Sequence, residues 1–578
     1  MIKRIYDYLG GYKRQVFLCL LFVTSAVVCE MIIPRLMANI IDIGIANGDM
    51  TYILKTGGLM VVLAGVGILL GYFNIRLSSI AAPGLSYNLR EALFEKVSQF
   101  SFKNIDKFST ASLTTRLTND VNTIQMTLIM GLRMFVRAPL TLIVALFMVL
   151  RINARLSLIV LGAIPLLALS LILVLKGIPA LFSEVQKRLD RLNLTVQENI
   201  TGIRVVKSFV REDHEKEKFK AANDDLTNIA VSASGRAMLT MPAMMMVMNL
   251  AVVAVLWFGG QMVFGGVLLS GDLISFISYI TQILMSLVMV SALFIMSSRA
   301  KASIQRVVEV LDEVPAVDES PEGGRTEPIT RGKVEFSNVS FKYDTSGSGH
   351  DVLKNISFTA DPGEVVAIVG GTGTGKSSLV NLIPRFYDVT EGEIKVDGVN
   401  VREYNAHALR ERIGMVLQSN TLFTGTIREN LLWGNEDSTA EDLELACKSA
   451  QAHDFIMSFP DGYDTVVAQG GTNLSGGQKQ RLCIARAMLK KPIILILDDS
   501  TSAVDSTTEA EIRKSFREGL SGTTVFIISQ RISSVKDADG ILVLDNGQVA
   551  GFGTHDQLMA ENNIYQEIYN SQNQGGES

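Results

Sequence analysis

Six apolar runs dominate the first 300 residues, near 16–41, 53–76, 128–150, 156–178, 240–267 and 273–297. Each is long enough to cross the ~30 Å hydrocarbon core of a bilayer as a helix, which takes about 20 residues. The second and third runs, and the fourth and fifth, are separated by long polar, helix-favouring stretches, whereas the other links are short. Both long stretches are rich in basic residues, among them Arg90, Lys96, Lys103, Lys107 and Arg116 in one and Lys187, Arg188, Arg191, Arg204, Lys207 and Arg211 in the other. Cytoplasmic loops carry such an excess, so the pattern predicts that both stretches and both termini are cytoplasmic. Arg151 and Arg155 run against this, since they fall in a short link assigned to the outside.

The N-terminal stretch MIKRIYDYLGGYKRQ sets Ile2, Ile5, Tyr6 and Leu9 among basic residues and predicts a short helix lying on the membrane surface. The apolar run from Val16 is too long for the core of a signal peptide and shows no cleavage site.

The pattern changes after residue 300. EVPAVDESPEGGRTEPITRGK reads as a charged, Pro/Gly-rich linker, and beyond it short aliphatic strands, VVAIV (365–369), IILIL (493–497) and TVFII (524–528), alternate with helical stretches. The expected organisation is a helical membrane domain over 1–310, a linker over 311–332, and an α/β domain with a mostly parallel sheet over 333–578. Composition agrees: 48% of residues are hydrophobic, high for a wholly soluble chain. A net charge of -5 gives no electrostatic footprint for nucleic acid. Cys19, Cys29, Cys447 and Cys483 form no CxxC pair and indicate neither a zinc site nor a disulfide framework.

Chemistry concentrates in the second domain. GGTGTGKSS, comprising Gly370, Gly371, Thr372, Gly373, Thr374, Gly375, Lys376, Ser377 and Ser378, follows the strand VVAIV and precedes a helical run. The G-x-x-x-x-G-K-S spacing in that setting is a phosphate-binding loop, with Lys376 reaching the outer phosphates and Ser377 a Mg²⁺ ion. Asp498, ending the strand IILIL, is placed to ligate the same ion, and Asp499 stands where an attacking water would be polarised. Between them lies LSGGQ, in which Ser475, Gly476 and Gly477, followed by Gln478, can offer a hydroxyl, amides and a helix N-terminus to phosphate.

Taken together, these motifs resemble those of an ATP-binding cassette (ABC) exporter half-transporter over essentially the whole chain. GGTGTGKSS resembles the Walker A loop, IILILD the Walker B strand and LSGGQ the ABC signature. By that resemblance Tyr343 stacks on adenine, Gln418 links Mg²⁺ and the attacking water to the membrane domain, and Ser502 to Asp505 form the loop at the dimer seam. ATP and Mg²⁺ are the implied ligands. Six helices before the cassette resemble the multidrug and lipid exporter class, whose cytoplasmic loops carry short coupling helices. The matching stretches here are Phe102–Phe108 and Phe209–His214.

The sequence departs from the family at two positions. Asp499 occupies the place usually held by a catalytic glutamate and is one methylene shorter. Gln530 occupies the place of the switch histidine and cannot carry a proton or a charge to the terminal phosphate. A misplacement of about 1 Å can cost on the order of a hundredfold in rate, so this site is expected to bind ATP and hydrolyse it poorly. The intact LSGGQ would serve the nucleotide of a partner half-transporter. The resemblance thus implies a heterodimer in the cell membrane whose other chain supplies the glutamate and the histidine.

The transported substrate is less legible. Met238, Met241, Met244, Met245, Met246 and Met248 crowd one stretch, and flexible thioethers suit a wall that fits many apolar shapes. Asn249, Gln261 and Gln282 lie within apolar helices and can bond either substrate or a neighbouring helix. Export of lipophilic small molecules is the expectation, with lipid or peptide export as the alternative. An ATP-gated, channel-like protein is the alternative of another class.

Overall fold

The computed structural model describes residues 2–320, 323–343, 351–500, 504–519 and 522–574. The chain divides into two compact units, Met1–Lys96 with Thr114–Asp312, and Val97–Leu113 with Glu313–Ser578. The short segment Val97–Leu113 clusters with the C-terminal unit, although sequence reading assigns it to the membrane domain.

The first unit is all-helical. Among the described residues it holds six helices long and apolar enough to cross a membrane: Gly10–Ile45, Met50–Ser98, Thr110–Ile152, Ser157–Thr201, Glu212–Phe264 and Ser270–Val290. The two polar stretches are not separate loops but helical continuations of the spans. The helix Met50–Ser98, for example, runs unbroken from apolar to charged sequence and accommodates Pro83 on the way. Such continuity follows from composition, because polar helix formers such as Arg, Glu and Lys sustain a helix once it leaves the lipid. Polar side chains join the helices where they are buried. Asn74 donates to the carbonyls of Cys19 (2.9 Å) and Leu132 (3.4 Å), and Tyr279 donates to Met31 O (2.7 Å). Arg137 pairs with Glu30 at 2.7 Å.

Within the methionine stretch, Met244 is buried while Met238, Met241, Met245 and Met246 are exposed on the chain. Asn249 and Gln261 are exposed as well, and the buried Oε1 of Gln282 has no hydrogen-bond partner among the described residues.

The second unit is α/β. Its central sheet has the order Gln548–Gly553, Gly540–Asp545, Val365–Gly370, Thr524–Ile528, Ile494–Asp498, Ile413–Val416, parallel except for the first pair. The aliphatic runs seen in the sequence are its inner strands. They are apolar throughout because parallel strands are covered on both faces. A second, antiparallel sheet built on Val334–Phe341, Leu353–Ala360 and Glu391–Val396 packs its apolar side chains into the same core. The register Ile528↔Asp498 brings the C-terminal ends of neighbouring strands level. Ligand-binding residues gather at that edge of a parallel sheet.

Candidate nucleotide-binding site

The glycine-rich loop begins where the strand Val365–Gly370 leaves the sheet. Gly370 has φ 154°, and a Cβ there would lie 2.3 Å from Leu544 O, so only glycine permits the exit. Gly373 and Gly375 take φ values of 83° and 92°, left-handed conformations that turn the loop into the helix Lys376–Asn381. Lys376 folds back over the loop, its Nζ donating to Gly370 O (3.0 Å) and Gly371 O (2.7 Å). Burial lowers its pKa, and the carboxylates of Asp498 and Asp499 oppose that effect. Thr374 Oγ1 braces the loop by donating to Gly371 O at 2.9 Å.

Asp498 ends its strand only 4% exposed. Its carboxyl is pushed above the ordinary range chiefly by burial. The Ser377 hydroxyl, donating at 3.0 Å, lowers it, the charge of Asp499 raises it further, and Lys376 lowers it again. Asp499 has φ 48°, a left-handed conformation that aspartate tolerates better than most residues, and its N–H donates to Ile528 O at 3.1 Å. One carboxylate oxygen of Asp499 accepts a hydrogen bond from Gln530 Nε2 at 3.2 Å. The two departures from the family pattern therefore touch each other.

Lys376, Ser377, Gln418, Asp498, Asp499 and Gln530 line one cleft of about 260 Å³, together with Thr372, Gly373, Gly375 and Ser378. Tyr343 stands beside it. Its hydroxyl is 3.0 Å from Ser378 Oγ, and its ring meets Phe341 and Tyr387 edge-on at 4.8 and 5.2 Å. The four signature residues do not line the cleft. Ser475 instead caps the helix Gly476–Leu489, accepting from Gln478 N (3.3 Å) while Gln478 Oε1 accepts from Ser475 N (2.9 Å). Ser502 lies outside the described residues, whereas Asp505 accepts from Thr508 N at 3.0 Å and Oγ1 at 2.9 Å.

Where the first coupling helix is expected, residues Phe102–Phe108 form a short helix that packs within the C-terminal unit. Phe102 lies 4.5 Å from Phe386 between ring centroids, Asp106 accepts from Tyr387 Oη at 2.7 Å, and Lys107 pairs with Glu313 at 2.7 Å. The second expected stretch, Phe209–His214, does not form a short helix of its own. The helix Ile203–Ser208 ends just before it, Phe209 and Val210 form a turn and are 72% and 81% exposed, and the long helix Glu212–Met238 begins within it. Two contributors escape sequence reading. Tyr387 belongs to no motif, and Gln572, in the helix Asn563–Gln574, reaches the loop after Thr524–Ile528, donating to Gln530 O at 2.7 Å and accepting from Ile532 N at 2.8 Å.

Comparison with known proteins gives the same picture. The profile of the ABC transporter transmembrane region matches residues 16–287, and that of the ABC transporter domain matches residues 353–502. An uncharacterized ABC transporter ATP-binding protein of Bacillus subtilis (strain 168), YfiB, is 39% identical over 579 residues, covering 100% of both chains. The chain belongs to the ABC transporter family. An ATP-dependent lipid A-core flippase of Syntrophus aciditrophicus (strain SB) is 34% identical over 504 residues, 87% of this transporter chain and 82% of the flippase. A solved structure of a bacterial Atm1-family ABC exporter with ATP bound superposes with a TM-score of 0.80 at 26% identity, covering 97% of this chain and 99% of the other. This transporter thus joins an exporter-type membrane region and an ATPase domain on one polypeptide, with ATP hydrolysis coupled to transport.

Proposed function

We propose that this chain is one half of a heterodimeric exporter of hydrophobic or amphipathic compounds, and that its own Walker site holds ATP but cleaves it slowly. The observation that carries the reading is the hydrogen bond between Asp499 and Gln530 inside the phosphate cleft. Asp499 is short for a general base, and one of its carboxylate oxygens is engaged by the amide of Gln530. Gln530 can donate a hydrogen bond to phosphate but cannot bring a proton or a positive charge. The binding parts are complete: the glycine loop, Lys376 for charge neutralisation, and Tyr343 for the base.

Ser377 and Asp498, 3.0 Å apart, with Gln418 in the same cleft, form the hard oxygen donor set that suits Mg²⁺. That ion would neutralise phosphate charge. High turnover requires a well-placed carboxylate and a switch residue able to stabilise developing charge, and in this reading the partner chain supplies both. The signature Ser475, exposed and outside this chain's cleft, serves the partner's nucleotide.

A partner also suits two apolar features. Phe209 and Val210 protrude from the membrane unit, and the ATPase unit has a groove of about 520 Å³ lined by Phe386, Leu417, Phe423 and Trp433. In the proposed dimer each chain's second cytoplasmic loop seats its apolar tip in the other chain's groove. Both termini and the ATPase domain are cytoplasmic in this arrangement, and the exposed methionines of residues 238–246 contribute to an adaptable wall for lipophilic substrate. The name of the flippase relative favours a lipid-like substrate as a second reading. Co-purification of a distinct ABC chain, followed by substrate-stimulated ATPase of the pair against lipophilic cations and lipids, tests the proposal. A stable homodimer that transports and hydrolyses rapidly would refute it.

A further inference from the structure

The C-terminal helix Asn563–Gln574 is not part of any nucleotide motif, yet it grips the switch loop. The Gln572 amide forms two hydrogen bonds to main-chain groups flanking Arg531, donating to Gln530 O and accepting from Ile532 N at 2.7 and 2.8 Å. Locally the loop is also braced by Ser529, whose Oγ accepts from Arg531 N at 3.0 Å and donates to Arg531 O at 3.2 Å, and by Ser534 N, which donates to Arg531 O at 3.1 Å. The helix itself is firmly seated. Tyr565 is buried, its hydroxyl 2.8 Å from His555 Nδ1, and Tyr565, Ile568 and Tyr569 pack with Ile532 and Val535 in one apolar cluster. Gln572 therefore transmits the position of a rigid helix to the backbone that aims the Gln530 side chain into the cleft.

We infer that Gln572 is a positioning residue for the nucleotide site: by fixing the backbone at Gln530 and Ile532, it holds the Gln530 amide where it meets Asp499 and the terminal phosphate. A clamp of this kind matters more for a glutamine than for a residue that is charged at the phosphate. A neutral amide gains its interaction only from good geometry, since hydrogen bonds weaken steeply once misaligned. The C-terminal helix is then a handle on nucleotide residence, and anything that lifts it releases the switch loop.

The inference rests on placing Gln530 at the terminal phosphate, and the test separates the two claims. The full-length chain is purified alone, so that every Walker site carries Gln530, and the dissociation rate of the fluorescent analogue MANT-ATP is measured for the native protein, Gln530→Ala, Gln572→Ala and the double variant. Gln530→Ala is expected to speed release about threefold to tenfold, the worth of one or two hydrogen bonds. Gln572→Ala is expected to speed it comparably, with no further effect in the Gln530→Ala background. If Gln530→Ala releases nucleotide at the native rate, the placement of Gln530 fails. If Gln530→Ala has its effect and Gln572→Ala has none, or if the two effects multiply, the positioning role is overturned. Gln572→Glu guards against a folding defect, since it keeps the acceptor for Ile532 N–H but loses the donor to Gln530 O while ionised. It is expected to release faster at pH 8 and to recover toward the native rate as the introduced carboxyl is protonated. A pH-independent native rate would overturn the inference.

Discussion

Converting the site with Asp499→Glu and Gln530→His probes the reasoning about catalysis most finely, because the structure gives reason to expect the two changes to depend on each other. The Asp499 carboxylate and the Gln530 amide are 3.2 Å apart. An added methylene extends a side chain by about 1.5 Å, close to half that gap. Asp499→Glu alone therefore crowds the Gln530 amide, and the new carboxylate remains tied up or is deflected from the attacking water. Gln530→His alone supplies a group that can carry charge but leaves the base short. Together they are expected to raise turnover about a hundredfold, equivalent to about 2.7 kcal/mol, while each alone gives less than about tenfold. The assay is steady-state ATP hydrolysis by the full-length chain in nanodiscs, with bound nucleotide measured in the same samples. A double variant whose turnover stays within about twofold of the native chain, with ATP binding intact, would refute the argument that these two positions limit cleavage.

In the assembled pair, Ser475→Ala should reduce ATPase more than Asp499→Asn, because Ser475 serves the competent site; equal, near-complete losses would show the sites wrongly assigned. Asp498→Asn should raise the melting temperature of the nucleotide-free protein at pH 7 while weakening Mg-ATP binding. The Asp498 pKa is raised in the fold, so its stabilising contribution exists only at low pH and is lost as pH rises through the folded value. The difference in melting temperature should therefore shrink as the pH is lowered toward the carboxylate range, and a destabilised variant at pH 7 would contradict this. Tyr387→Phe removes the 2.7 Å hydrogen bond to Asp106 and should lower substrate-stimulated ATPase about tenfold or more, leaving basal activity in place. Spin labels on the two cassettes should show less separation in the native pair than after Asp499→Glu with Gln530→His, because nucleotide retained at the weak site keeps the cassettes in contact.

The parts of this molecule legible in the sequence are those where a short run of residues has one physical solution. Apolar runs of about 20 residues announce membrane helices, and VVAIV, IILIL and TVFII are too apolar to be anything but covered strands. The glycine loop is legible because Gly370, Gly373 and Gly375 must adopt conformations that other residues resist. Contacts made across the sequence were not legible. The hydrogen bond between Asp499 and Gln530 spans 31 positions, and the Gln572 clamp spans 42 to Gln530. A glutamine near the end of an amphipathic helix carries no signal of what it holds. Phe102 and Asp106 were expected to belong to a coupling element, but their partners Phe386 and Tyr387 follow no pattern that a single sequence reveals.

The central claim is that this chain's Walker site binds ATP and cleaves it slowly, and one sample tests it directly. The full-length chain, purified without any other ABC chain, is loaded with Mg-ATP, and bound nucleotide and released phosphate are followed together. The account predicts close to one ATP retained per chain, with phosphate release about a hundredfold slower than from the same chain carrying Asp499→Glu and Gln530→His. Rapid, sustained phosphate release by the unaltered chain, or failure to retain ATP at all, would contradict it.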